Sequence, residues 1–206
     1  MNTQRLIGCA AVVISMAGCV QKKSLVTLGQ EAIESPPVTV GLRSVYQIVP
    51  SMSAAIGMPI TTEIRQQGVT ITPWFSGSGN ASEYTSSAHL ALVGLAGLFC
   101  RDLVNADSAI SDANASQRKV FKNMLFSTAP ATAFTPTRRQ QTINDIHARV
   151  LRREPSEDEA AVLNTLITET IASGNESPAL GSLASNQEIA KVLCTAVLGS
   201  TEFIPQ

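Results

Sequence analysis

Leu90-Ala-Leu-Val-Gly-Leu-Ala-Gly-Leu-Phe-Cys100 is eleven residues long and contains no charged or hydrogen-bonding side chain apart from its terminal thiol. It is too short to cross a hydrocarbon core of about 30 Å, which takes roughly 20 apolar residues. An apolar helix of this length instead suits the centre of a helical bundle, enclosed on most sides by other helices. The run is expected to lie in a helix over about residues 82–104. Gly94 and Gly97 are expected to let a neighbouring helix approach closely.

Downstream, the punctuation is that of helices. Thr135-Pro136 reads as N-cap and first helical position, opening a helix with Ile143, Ile146, Val150 and Leu151 on one face before Pro155. Ser156-Glu-Asp-Glu159 is a capping box that opens a second, with Val162, Leu163, Leu166, Ile167 and Ile171 in its stripe and Gly174 as its stop. A second capping-box pattern, Ser185-Asn-Gln-Glu188, is expected to open the last helix, whose apolar face is Ile189, Val192, Leu193, Ala196 and Val197. Phe203 is expected to pack the end of the chain. Between the first helix and these three, residues 117–126 read as an amphipathic turn or two, with Val120, Phe121 and Leu125 apolar.

Upstream the pattern is less regular. A helical spacing of Leu42, Val45, Tyr46 and Val49 is interrupted by Pro50. Val69-Thr-Ile-Thr-Pro-Trp-Phe75 alternates apolar and polar residues as a short strand does, and Pro73 would confine it to an edge. Ser76-Gly-Ser-Gly-Asn80 reads as a loop, and residues 19–40, with the Pro36-Pro37 pair, as a tether. The expected architecture is mainly α: one compact domain of about five helices over residues 41–206, with at most one edge strand. With 44% hydrophobic and 15% charged residues the chain can bury a sizeable core.

At the N-terminus, Arg5 precedes an apolar run, Leu6 to Met16, which leads into Ala17-Gly18-Cys19. That order of features is a signal peptide over residues 1–18. Met16-Ala17-Gly18-Cys19 resembles the lipobox of bacterial lipoproteins, with methionine where leucine is more usual. The resemblance implies that Cys19 is acylated and becomes the first residue of the mature chain. Val20, in place of aspartate, implies sorting to the outer membrane. Two or three acyl chains make dissociation negligible, since each buried CH₂ contributes roughly 0.8 kcal/mol.

Loss of Arg5 takes one from the 15 Lys and Arg, leaving 14 against 16 Asp and Glu. There is no basic surplus to grip phosphates, so a nucleic-acid partner is not expected. Cys9 leaves with the signal and Cys19 goes to lipid, which leaves Cys100 and Cys194 in an oxidising compartment. Leu95-Ala-Gly-Leu-Phe-Cys100-Arg-Asp-Leu-Val104 and Ile189-Ala-Lys-Val-Leu-Cys194-Thr-Ala-Val-Leu198 share an apolar pattern with the cysteines in register. Side-by-side packing of these helices would allow a disulfide; two buried thiols are the alternative.

Little in the sequence suggests chemistry. His89 and His147 lack a metal-ligand partner three or four residues away, and metal sites need three or four converging ligands. Gly77-Ser78-Gly79 lacks the lysine of a phosphate loop, and neither a Gly-x-Ser-x-Gly elbow nor a Cys-x-x-Cys-His occurs. Glu157, Asp158 and Glu159 suit a helix dipole, and Arg138-Arg139 and Arg152-Arg153 a solvated face. No cofactor or metal is expected. Trp74 and Phe75, beside a loop in a chain with 4% aromatics, either close one end of the bundle or form a partner contact. Arg153-Glu-Pro155-Ser156-x-x-Glu159 with Cys194-x-x-Val-Leu198-x-Ser200-x-Glu202-Phe203 is similar to helical C-terminal modules of uncharacterised exported bacterial proteins, over about a quarter of the chain. That similarity carries caps and core residues and no catalytic group.

These features point to a non-enzymatic lipoprotein of the outer membrane, its domain a helical scaffold or accessory subunit that meets an envelope protein partner. The other class left open is a periplasmic binding protein or enzyme whose site is dispersed over loops and helix ends.

Overall fold

In the computed structural model, residues 44–75, 85–175, 182–200 and 203 are described. The signal and tether regions with Cys19, and the 76–80 loop, lie outside them. The described residues form seven α-helices in order: α1 (Val45–Ile56), α2 (Thr62–Ile71), α3 (Ser86–Ser108), α4 (Pro130–Ala133), α5 (Pro136–Val150), α6 (Glu157–Asn175) and α7 (Ser182–Leu198). Two 3₁₀ segments, Thr72–Trp74 and Asp112–Gln117, complete them. The expected helical bundle is present, and no strand occurs among the described residues.

The apolar run lies in α3, which packs most extensively on α7 and also against α1 and α2; α5 and α6 pack on α7 as well. Thr85 opens α3 by accepting the Ala88 N–H at 3.2 Å. Its inward residues Leu92, Leu95, Ala96, Phe99, Cys100, Leu103 and Val104 are fully buried. Each buried leucine-sized side chain contributes roughly 1.5–3 kcal/mol, so this stripe is a substantial part of the core.

The edge strand expected over residues 69–75 is instead the last turn of α2 followed by a 3₁₀ turn. In a strand Val69 and Ile71 would share a face; here Val69 is 65% exposed and Ile71 is 1% exposed. The buried set Ile64, Gly68, Ile71 repeats at helical spacing, Thr61 caps the start through the Ile64 N–H at 3.3 Å, and Pro73 sits where a 3₁₀ turn tolerates it. Helix α1 likewise runs through Pro50. Pro50 and Tyr46, whose carbonyl loses its helical donor, are both exposed, so this break in the ladder lies on the outer face of the helix.

Beyond Gln117, the last residue of the second 3₁₀ segment, residues 118–126 form none of the expected helical turns. The last helix starts at Ser182, so Ser185 lies inside it and does not act as its cap. The box at Ser156 does form: the Ser156 N–H donates to Glu159 Oε2 at 2.7 Å and the Glu159 N–H to Ser156 Oγ at 3.3 Å. Phe203 is buried, its N–H donating to the Ser200 carbonyl at 3.2 Å.

Gly94 and Gly97 do not admit a neighbouring helix: a Cβ at either would meet nothing within 4 Å. The close approach occurs at Gly199, where an added Cβ would lie 2.8 Å from the Thr195 carbonyl oxygen and 3.3 Å from Val93 Cα. Opposite outcomes are therefore expected. Gly94→Ala and Gly97→Ala should each raise stability by roughly 0.5–1 kcal/mol, because alanine is the better helix former and nothing obstructs it. Gly199→Ala should lower stability by forcing α3 and α7 apart. Urea midpoints of the three variants check this.

Candidate functional site

The described residues offer three places where function could reside: a buried polar cluster, the inter-helix cysteines, and the surface around Trp74.

The polar cluster forms where α3 ends. Leu103, Val104 and Asp107 share the inner face of the helix at spacings of four and three, which puts a carboxylate in the core; Asp107 is 0% exposed. It accepts three consecutive backbone N–H groups, Lys119 to Oδ1 at 2.9 Å and Val120 and Phe121 to Oδ2 at 3.0 Å each. These donors have no helical partner, so the carboxylate replaces the hydrogen bonding that a helix over 117–126 would have supplied.

Arg118 is 1% exposed. Its Nε and one terminal nitrogen donate to the Ile110 carbonyl at 3.2 and 2.7 Å, and the latter also to Asp112 Oδ1 at 2.6 Å. The other terminal nitrogen donates to the carbonyls of Phe121 at 3.5 Å and Met124 at 2.5 Å. The guanidinium also lies 4.9 Å from the centroid of the Phe126 ring, within cation–π range. A guanidinium has five N–H donors, and all five are engaged.

Asp112 completes the pair, accepting from Arg118, from the Phe126 and Ser127 N–H groups at 3.0 and 3.1 Å, and from the Ser127 hydroxyl. Burial raises its pKa, but the bonds from Arg118, Ser127 and the two backbone donors outweigh that and hold the carboxyl well below the usual carboxylate range. From α7, the Asn186 amide nitrogen donates to the carbonyls of Leu125 at 3.0 Å, Phe126 at 3.2 Å and Thr128 at 2.6 Å. These three carbonyls fix the amide orientation even though its Oδ1 is buried without a partner among the described residues. The cluster thus holds an irregular segment against the bundle and has no spare donor on Arg118 for a substrate.

Cys100 and Cys194 are joined in a disulfide, with Cα atoms 5.6 Å apart and a sequence separation of 94. Both are fully buried, so the bond clamps α3 to α7 out of reach of solvent.

His147 is buried in the last turn of α5, and His89 is half-buried in the first turns of α3. Among the described residues no three His, Cys, Asp or Glu side chains converge as metal ligands. The dibasic pairs are largely used by the fold. Arg138 donates to the Thr132 carbonyl at 3.0 Å, and Arg139 to the Phe134 carbonyl and to Thr168 Oγ1, each at 2.8 Å. Arg153 clasps Glu159 through both terminal nitrogens. Arg152 is exposed and takes a left-handed φ of 56°. Glu157, Asp158 and Glu159 occupy the first turn of α6.

Arg153 is the main cause of Glu159 having its pKa pulled down to about 2, burial opposing it and the Ser156 bonds assisting. A depressed acid contributes stability above its unfolded pKa, near 4.5, and loses it as pH falls through the folded value. The urea midpoint of the wild type should fall between pH 4.5 and about 2, and Glu159→Gln should flatten that slope. An unchanged slope would show that the clasp carries no stability.

The Trp74-Phe75 pair is divided. Trp74 is 50% exposed, whereas Phe75 packs against the core. Sequence patterning missed Asp107, Arg118, Asp112 and Asn186, although the place of Asp107 on the α3 stripe and of Asn186 three and four residues before Ile189 and Ala190 on that of α7 was available as a signal. No protein-family model, curated protein or solved structure matches the chain.

Proposed function

We propose that the chain is a lipoprotein of the outer membrane, cleaved before Cys19 and acylated there, whose helical domain is a non-enzymatic scaffold or accessory subunit of a cell-envelope assembly. The observation that carries this reading is how the fold uses its buried polar groups. The five donors of Arg118 and the carboxylates of Asp107 and Asp112 are committed to the chain itself. A charged group that acts on a reactant needs hydrogen-bonding capacity open to it, and these three are turned to holding shape. The buried disulfide supports residence in an oxidising compartment outside the cytoplasm, in keeping with the signal and lipobox patterns.

Crosslinking in the native cells, followed by affinity purification of the intact lipoprotein and mass spectrometry, tests the proposal. Reproducible recovery of the components of one envelope assembly is expected. Recovery of abundant membrane proteins alone would count against a scaffold role.

A further inference from the structure

Tyr46, Val69, Trp74 and Leu90 are 74%, 65%, 50% and 69% exposed, and Val162 on α6 is the one other large apolar residue so exposed among the described residues. The packing of the first three helices brings the four to one end of the domain. Helices α1 and α2 pack together across the short 57–61 connection. Gly68 lies against Val45 and Val49, an added Cβ being 3.7 and 3.3 Å from them. The pair is therefore antiparallel, and the start of α1 lies beside the end of α2. At the opposite end Glu63, in the first turn of α2, meets Arg101 of α3 at 2.7 Å, while the 3₁₀ turn Thr72–Trp74 packs on α3. Lys119, whose N–H is held by Asp107 at the end of α3, donates its ammonium to the Gly57 carbonyl at the end of α1, so α3 runs the same way as α1 and antiparallel to α2, and its start joins the same end. Tyr46 in the first turn of α1, Val69 and Trp74 at the end of α2, and Leu90 in the second turn of α3 share that end.

Ser44, where the chain enters α1, is at this end too. Under the lipoprotein reading, on which this inference rests, residues 20–43 link it to the acylated Cys19. These 24 residues cannot carry Ser44 further than about 85 Å from the bilayer in any conformation. Such confinement raises the effective concentration of the membrane at this face, so weak individual contacts suffice. A tryptophan and a tyrosine flanked by aliphatic residues are the side chains that favour the boundary between headgroups and acyl chains. We infer that the end bearing Tyr46, Val69, Trp74 and Leu90 docks on the phospholipid surface that holds the anchor. The domain is then oriented with the opposite end, around Glu63 and Arg101, turned away from the lipid toward a partner.

Trp74 is the sole tryptophan, so intrinsic fluorescence reports this face alone. The mature lipidated protein is reconstituted into phosphatidylethanolamine–phosphatidylglycerol vesicles with and without brominated acyl chains, and co-flotation is scored on the same sample. Flotation with a blue-shifted Trp74 that bromine quenches about twofold or more is expected. In Tyr46→Ser/Val69→Ser/Leu90→Ser, whose substitutions are all at exposed positions, quenching should fall while circular dichroism stays unchanged. Flotation with Trp74 unquenched, or quenching that the triple variant leaves unchanged, would overturn the docking and leave the anchor standing. A blue shift that follows protein density in the bilayer and not bromine would assign the face to a second copy and likewise overturn it. Failure to float would overturn the anchor, and the docking with it.

Discussion

Replacing Arg118 with methionine is expected to destabilise the domain by about 3–5 kcal/mol, the cost of removing one partner from a buried ion pair. The substitution keeps an apolar stem of similar length, so the loss should come from what the guanidinium leaves behind. The carbonyls of Ile110, Phe121 and Met124 lose their side-chain donor, and Asp112, 17% exposed, keeps its charge without its counterion. Arg118→Lys should recover only part of the loss, because an ammonium has three donors and cannot match the planar fork. Urea denaturation followed by circular dichroism measures both variants. A loss below about 1 kcal/mol, the worth of a single ordinary hydrogen bond, would show that the segment after α3 is held by its apolar residues, Val120, Phe121, Met124 and Phe126, and not by the arginine.

The second large effect concerns the bond between α3 and α7. Reducing Cys100–Cys194, or replacing both with serine, releases a loop defined by a sequence separation of 94. Loop-closure entropy for that length corresponds to about 4–5 kcal/mol. Serine adds the cost of placing hydroxyls where both positions are 0% exposed, so paired alanines isolate the crosslink better. Ellman titration under denaturing conditions, with and without reductant, establishes the starting state; two free thiols in the native protein would remove this contribution altogether. If the reduced protein unfolded at the same urea concentration as the oxidised one, the α3–α7 interface would be held by packing alone. The expected downward shift of the midpoint is large enough to leave little margin in a domain whose net stability is on the order of 5–15 kcal/mol.

Both effects lie at the limits of what patterning reveals. Helices α3, α5 and α6 and the body of α7 were legible because they repeat apolar residues at helical spacing and carry local caps, and both properties reside in neighbouring residues. The pairing of Cys100 with Cys194 was legible for a related reason: two helices with the same apolar pattern bring residues in register together when they lie side by side. Helix α2 was misread because Val69, Thr70, Ile71 and Thr72 are β-branched and alternate. The deciding fact, that Ile71 faces the core and Val69 the solvent, belongs to tertiary structure. Residues 117–126 were misread for a different reason. Their backbone groups are satisfied by Asp107, Arg118, Asp112 and Asn186 across up to 61 residues of chain, and no local periodicity records such bonds. A charged residue in a sequence is read as solvent-facing unless its helical phase is followed, and following it would have put Asp107 inside.

The surface is legible in the opposite sense. Gly94 and Gly97, read as a helix-packing notch, face open space, and the glycine that does admit a neighbour, Gly199, lies just past the end of a helix, where a stop signal and a close approach look alike. Trp74 and Phe75 are adjacent in sequence and part company in space, one half-exposed and the other against the core. Successive side chains on a 3₁₀ turn point about 120° apart, so Trp74 and Phe75 need not share a contact surface.

The lipid anchor rests on Cys19, and the mass of the N-terminal peptide of the protein extracted from its native cells tests it directly. A peptide that begins at Cys19 and carries a diacylglyceryl thioether, with its amine acylated, is the expected result. A peptide that begins at any other residue, or one in which Cys19 carries a free thiol, would contradict the lipid anchor and the membrane-facing orientation built on it.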